Sequence, residues 1–220
     1  MKELREHRGI YGGVSVGAIL LYVFILTRVE GEAGALFFAG FPVWVTAALL
    51  PFALARSFSG EWKASTHYFL LSLPVRSGTI ALAKWLAPLT AAVLIFSVSL
   101  AGIDLIRVEF EVTGQLLEQF GATPRAVLRY VNTQYLATVV LLLGVAMAWV
   151  GVRQTVTGHG LVVGSLYVIL TFFLYFQFMS PFHHLVGDVP SVWVPVIYSF
   201  TFGLAYTMAG FILFDRFTEI

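Results

Sequence analysis

Six runs of the chain, residues 9–27, 34–55, 85–103, 133–152, 160–179 and 192–214, contain no Asp, Glu, Lys or Arg and are dominated by aliphatic and aromatic side chains. A helix needs about 20 mainly apolar residues to cross the hydrocarbon core of a bilayer. Inside that core every backbone amide must be bonded within the protein, which a single continuous segment achieves as a helix. The pattern therefore predicts an all-α membrane protein with six transmembrane helices, over about 9–27, 34–55, 79–103, 131–152, 160–180 and 192–214, in one domain spanning residues 1–220. Composition excludes the soluble alternative. Only 11% of residues are charged, against roughly 25% in soluble domains, too few to cover a surface without large apolar patches. The hydrophobic fraction, 59%, also excludes disorder, and a net charge of +1 argues against a nucleic-acid partner.

An even number of spans puts both termini on one side, and the Lys/Arg distribution indicates which. With the termini inside, Lys2, Arg5, Arg8, Arg56, Lys63, Arg76, Lys84, Arg153 and Arg216 are cytoplasmic, while Arg28, Arg107, Arg125 and Arg129 are outside. This imbalance predicts cytoplasmic termini and a multi-pass protein of the cell membrane. The first run is longer than the roughly 7–15 residues of a signal-peptide core, so it is expected to be retained as a span despite the cleavage-like Ala33-Gly34-Ala35.

Two connections are long. The outer one, residues 104–132, alternates charge with Leu and Phe and reads as an interfacial amphipathic helix; within it, Thr123-Pro124 is a start signal for the fourth span. In the inner one, Ser59 can cap a short helix whose early Glu61 suits the positive end of the dipole, with Trp62, Thr66, Phe69 and Leu73 on one face and Pro74 as its stop. A second start signal, Ser77-Gly78-Thr79, opens the third span, with the Lys84 ammonium expected to reach the headgroups. The inner helix is thus expected to lie on the membrane surface or to dock a soluble partner.

The string Glu61-x4-Thr66-x3-Leu70-Leu71-Ser72-Leu73-Pro74-Val75-Arg76, followed eight residues later by Lys84, resembles the cytoplasmic-loop motif of type-2 ABC transporter permeases, the membrane subunits of ATP-driven exporters. Where that family usually has Gly before the Thr, this chain has Ser65. The resemblance implies that Glu61, Trp62, Thr66, Phe69, Leu70, Leu71, Leu73, Pro74 and Arg76 form a coupling helix resting on a separate ATPase subunit. It also implies pairing of two permease copies through their first and fifth spans.

None of the three lysines, Lys2, Lys63 and Lys84, sits in a GxxxxGK[ST] string, whose backbone amides and Lys would hold nucleotide phosphates. ATP and magnesium are therefore expected on the partner subunit, and this chain is expected to bind no cofactor, to hold no metal and not to be an enzyme. The runs also lack the intramembrane carboxylates and bases that ion-coupled carriers use. Gly9, Gly13 and Gly17 form a GxxxG ladder, and Gly160 and Gly164 repeat its spacing, which suits close helix contact either within the chain or with a second copy. Phe172, Phe176, Tyr198, Phe202 and Tyr206 are either lipid-facing and belt residues or the lining of a path for apolar or amphipathic cargo. His183 and His184, placed with Asp188 in an outer loop, read as solvent-facing.

The reading is a permease subunit of an ABC exporter that forms the pathway as a dimer, with an ATPase subunit, a second copy and membrane lipid as partners. The alternatives are a six-span scaffold or receptor-like protein without transport and a secondary carrier.

Overall fold

The structure is a computed structural model and describes residues 8–28, 32–63, 77–109, 124–155, 160–187, 190 and 192–218. Six helices account for nearly all of them: α1 (Arg8–Arg28), α2 (Glu32–Lys63), α3 (Ser77–Glu109), α4 (Pro124–Thr155), α5 (Gly160–Leu185) and α6 (Val194–Thr218). There is no strand among the described residues. Within α2 to α6, the segments Phe41–Gly60, Gly78–Ala101, Tyr130–Arg153, Val162–Leu185 and Val194–Arg216 are long and apolar enough to cross a bilayer, the signature of a multi-pass membrane protein. The remaining helix, α1, has 21 residues, a length of about 30 Å at 1.5 Å per residue.

Helix boundaries follow the local chemistry, and most run past the predicted spans. α4 starts at Pro124, where the fixed φ of proline suits the first helical position. α3 starts at Ser77 and runs to Glu109, so α3 and α4 absorb both ends of the connection expected to be an interfacial helix; residues 110–123 lie outside the described residues. α6 begins later than expected because Val192 and Trp193 form a turn in which the Trp193 amide donates to the Pro190 carbonyl (2.8 Å), before the Ile197 amide bonds the Trp193 carbonyl (3.0 Å). α5 continues to Leu185, so His183 and His184 occupy its last turn rather than a loop.

By internal contacts the chain divides into two units, residues 1–49 with 90–135 and residues 50–89 with 136–220. In the first unit, Tyr22 and Ile25 of α1, Val43 and Ala47 of α2, Ala91, Ala92, Ile95 and Phe96 of α3, and Tyr135 of α4 are buried. Phe96 and Tyr135 stack at 4.8 Å, their planes 15° apart. Hydroxyls satisfy themselves on their own helix: Thr46 donates to the Pro42 carbonyl (2.6 Å) and Ser97 to that of Val93 (2.8 Å), the usual refuge for Ser and Thr in an apolar helix.

The second unit is organised by a backbone-to-backbone contact between α4 and α6. A Cβ on Gly203 would lie 2.6 Å from the Leu141 backbone, one on Gly210 2.6 Å from Met147, and one on Gly151 2.7 Å from Leu213; a Cβ on Gly144 would overlap the Gly203 carbonyl. Contact positions rise together along both helices, so α4 and α6 run parallel, and each places glycines seven residues apart on the shared face. Thr207 of α6 borders the contact: its hydroxyl, bonded back to the Gly203 carbonyl of its own helix at 2.8 Å, lies 2.9 Å from the position of a Cβ on Gly144. Lipid tails are as apolar as leucine, so helices in a membrane gain little from burial and depend on close packing of this kind.

Gly203→Val should therefore lower the unfolding free energy in detergent by about 1–3 kcal/mol through overpacking. Gly17→Ala, where a Cβ meets nothing within 4 Å, should be neutral or stabilising by up to about 1 kcal/mol through helix propensity. Equal unfolding curves for both variants would contradict the packing account.

Candidate functional site

The sequence assigns partner docking to residues 61–73, between the second and third spans. The first of these residues do not start a new helix. α2 runs unbroken through Ser59 and Gly60 to Lys63, so Glu61 and Trp62 belong to its last turn. Ser59 does not cap: its hydroxyl bonds back to the Arg56 carbonyl at 3.3 Å, a local bond that leaves the helix intact. Thr66, Phe69, Leu70, Leu71, Leu73, Pro74 and Arg76, together with the expected coupling helix they form, lie outside the described residues.

The last turns of α2 are tied to the first turns of α3 by Lys84. The sequence suggested an ammonium reaching out to headgroups; in the structure Lys84 is only 3% exposed. Among its contacts, Nζ donates to the Ser57 carbonyl at 3.0 Å and lies 4.7 Å from the centroid of the Phe58 ring. Phe58 in turn meets Phe214 of α6 edge-on at 5.2 Å. A buried ammonium is costly unless hydrogen bonds and aromatic faces replace its water, and here a main-chain oxygen and a ring do so. The first turns of α3 are thereby fixed to the last turns of α2, on either side of the connection.

The aromatic residues proposed as a cargo path divide into two groups. Tyr198, Phe202 and Tyr206 form a run along α6, with centroids 5.6 and 4.8 Å apart. Tyr175 of α5 packs against Tyr198 at 4.9 Å and Phe202 at 5.4 Å. Two hydrogen bonds fix that contact: the Tyr175 and Ser199 hydroxyls lie 2.8 Å apart, and the Tyr198 hydroxyl donates to the Tyr175 carbonyl at 2.5 Å. Phe176 touches Tyr175 edge-on at 5.6 Å but is 65% exposed, and Phe172 is 61% exposed. The α6 members thus form the α5–α6 seam, while the two phenylalanines of α5 face away from the protein.

Of the glycines singled out by spacing, Gly13 and Gly17 face open space and Gly164 packs on Trp149 of α4, whose ring lies 3.3 Å from the position of a Cβ. Gly9 and Gly160 lie in the first turns of α1 and α5. His183 and His184 are exposed, their rings 6.3 Å apart, and among the described residues no three His, Asp or Glu side chains gather where they would hold a metal ion. The interhelical glycines Gly144, Gly151, Gly203 and Gly210 escape a four-residue GxxxG pattern because the parallel α4–α6 contact repeats every seven.

Lys84→Met should lower stability by about 1.5–3 kcal/mol, the range for a lost hydrogen bond to a charged group. Ser57→Ala leaves the accepting carbonyl in place and should stay within about 0.5 kcal/mol of the parent. Chemical unfolding in detergent distinguishes them, and a neutral Lys84→Met would contradict the tie.

Comparison with protein-family models, with curated proteins and with solved structures finds no match for this chain.

Proposed function

We propose that the chain is the membrane-spanning permease subunit of an ABC exporter, pairing with a second copy to form the pathway and driven by a separate ATPase subunit docked on residues 61–73. The observation that carries this reading is the string from Glu61 to Arg76 on the connection between the second and third helices, which resembles the coupling motif of type-2 ABC permeases. Two structural features support it. α2 and α3 have 32 and 33 residues, about 50 Å each at 1.5 Å per residue, longer than the hydrocarbon core requires. Lys84 joins their ends beside the connection, so a displacement there is passed to both helices together. The absence of a P-loop string and of Asp or Glu within the runs favours an engine on another subunit. ATP and magnesium belong to that subunit, and the chain itself is not an enzyme.

In this reading closure of the ATPase pair pushes the two coupling segments and switches the membrane dimer between inward- and outward-open states. Pro in place of Phe69, which would break a helix there, should abolish transport and permease-dependent stimulation of the ATPase while α1–α6 remain folded by circular dichroism. Glu61→Ala should weaken co-purification with the ATPase. A folded Phe69→Pro variant with normal transport would overturn the assignment.

A further inference from the structure

Alongside α5, the second unit holds a groove of about 760 Å³ between α2, α4 and α5, within the range of small-molecule sites. Its walls are apolar, with Phe52 of α2, Val145 and Trp149 of α4, and Val168 and Ile169 of α5 among the lining residues. The floor is rigid: Trp149 and Tyr167 pack at 5.3 Å, and the Tyr167 hydroxyl donates to the Val145 carbonyl at 2.6 Å. The α5 wall also faces the surroundings, since its Val162–Leu185 segment is only 6% buried. Among the lining residues one is charged, Arg153, which is exposed and lies in the last turn of α4.

We propose that this groove binds an anionic phospholipid, with an acyl chain along Val145, Trp149 and Val168 and the phosphate against Arg153. The argument is charge complementarity at one end of an apolar slot. From Arg153 to Leu142 the groove follows α4 for about 16 Å at 1.5 Å per residue, so an occupant must be apolar over that length and negative at one tip. A helix of a second copy drawn from the six runs carries no charge within its run and would leave Arg153 facing lipid. On the topology inferred from the basic residues, this end of α4 lies at the cytoplasmic face, where anionic lipid is enriched. The site stands independently of the transport reading.

The test uses lipids with bromines on the acyl chain, which quench nearby tryptophan, and the full chain in vesicles. The contribution of Trp149 is obtained by subtracting the signal of Trp149→Phe. Brominated phosphatidylglycerol should quench Trp149 about fivefold more effectively than brominated phosphatidylcholine at equal mole fraction, the selectivity expected for one basic residue at the surface. Arg153→Gln should make the two headgroups equivalent, and Arg153→Lys should retain the preference. Equal quenching in the parent, no quenching of Trp149 by either lipid because a second copy fills the groove, or a preference that survives Arg153→Gln would each overturn the proposal. If Arg153→Gln does not fold, the parent's headgroup ratio alone decides the matter.

Discussion

The contact between Gly144 and Gly203 brings the α4 and α6 backbones to a separation at which no side chain fits between them. Everything else in the second unit is arranged around it. With α6 held against α4, Phe214 reaches Phe58 near the buried Lys84, and Tyr198 reaches Tyr175 of α5. On the far side of α4, Trp149 packs on Tyr167 and Gly164 of α5. In a bilayer there is no water to squeeze from between helices, so van der Waals fit and hydrogen bonds carry what burial carries in soluble proteins. Glycine at seven-residue spacing serves the fit, and Tyr167, Tyr175 and Tyr198 supply hydroxyls to oxygens of neighbouring helices.

Against this framework the exposed apolar surface has a simple meaning. Val16, Leu20 and Phe24 on α1, and Leu166, Phe173 and Phe176 on α5, are each more than half exposed. In water such faces would aggregate, whereas in lipid they match their solvent. The same logic gives weight to the exceptions. A lysine 3% exposed and an arginine at the end of an apolar groove are positions where the chain carries charge next to the membrane, and they serve different ends: Lys84 binds helix to helix, and Arg153 is offered outward.

How far the sequence foretold this depends on the physical signal. Helices were legible because their hydrocarbon length and lack of charge write themselves into one-dimensional sequence, and Pro124 and Ser77 marked starts that α4 and α3 use. Ser59 misled, since a Ser before a run of helix-forming residues can cap or can bond back to its own helix, and continuity of α2 selected the second. Lys84 misled for a related reason: a flexible side chain near a helix start can reach headgroups or turn inward, and the nearby Ser57 carbonyl and Phe58 ring come from a different helix. The α4–α6 glycines needed a seven-residue period read on two separated segments at once. Aromatic spacing on α6 marked a face but not that Tyr175 would cover it.

The central functional claim is that the connection between α2 and α3 meets an ATPase. The chain contains no cysteine, so a single introduced thiol reports on one position without background. Ser65→Cys in inside-out and right-side-out membrane vesicles should react with a membrane-impermeant maleimide from the cytoplasmic face alone, and binding of the ATPase subunit should suppress the reaction. Labelling from the outer face, or labelling unchanged by a bound ATPase, would contradict the account.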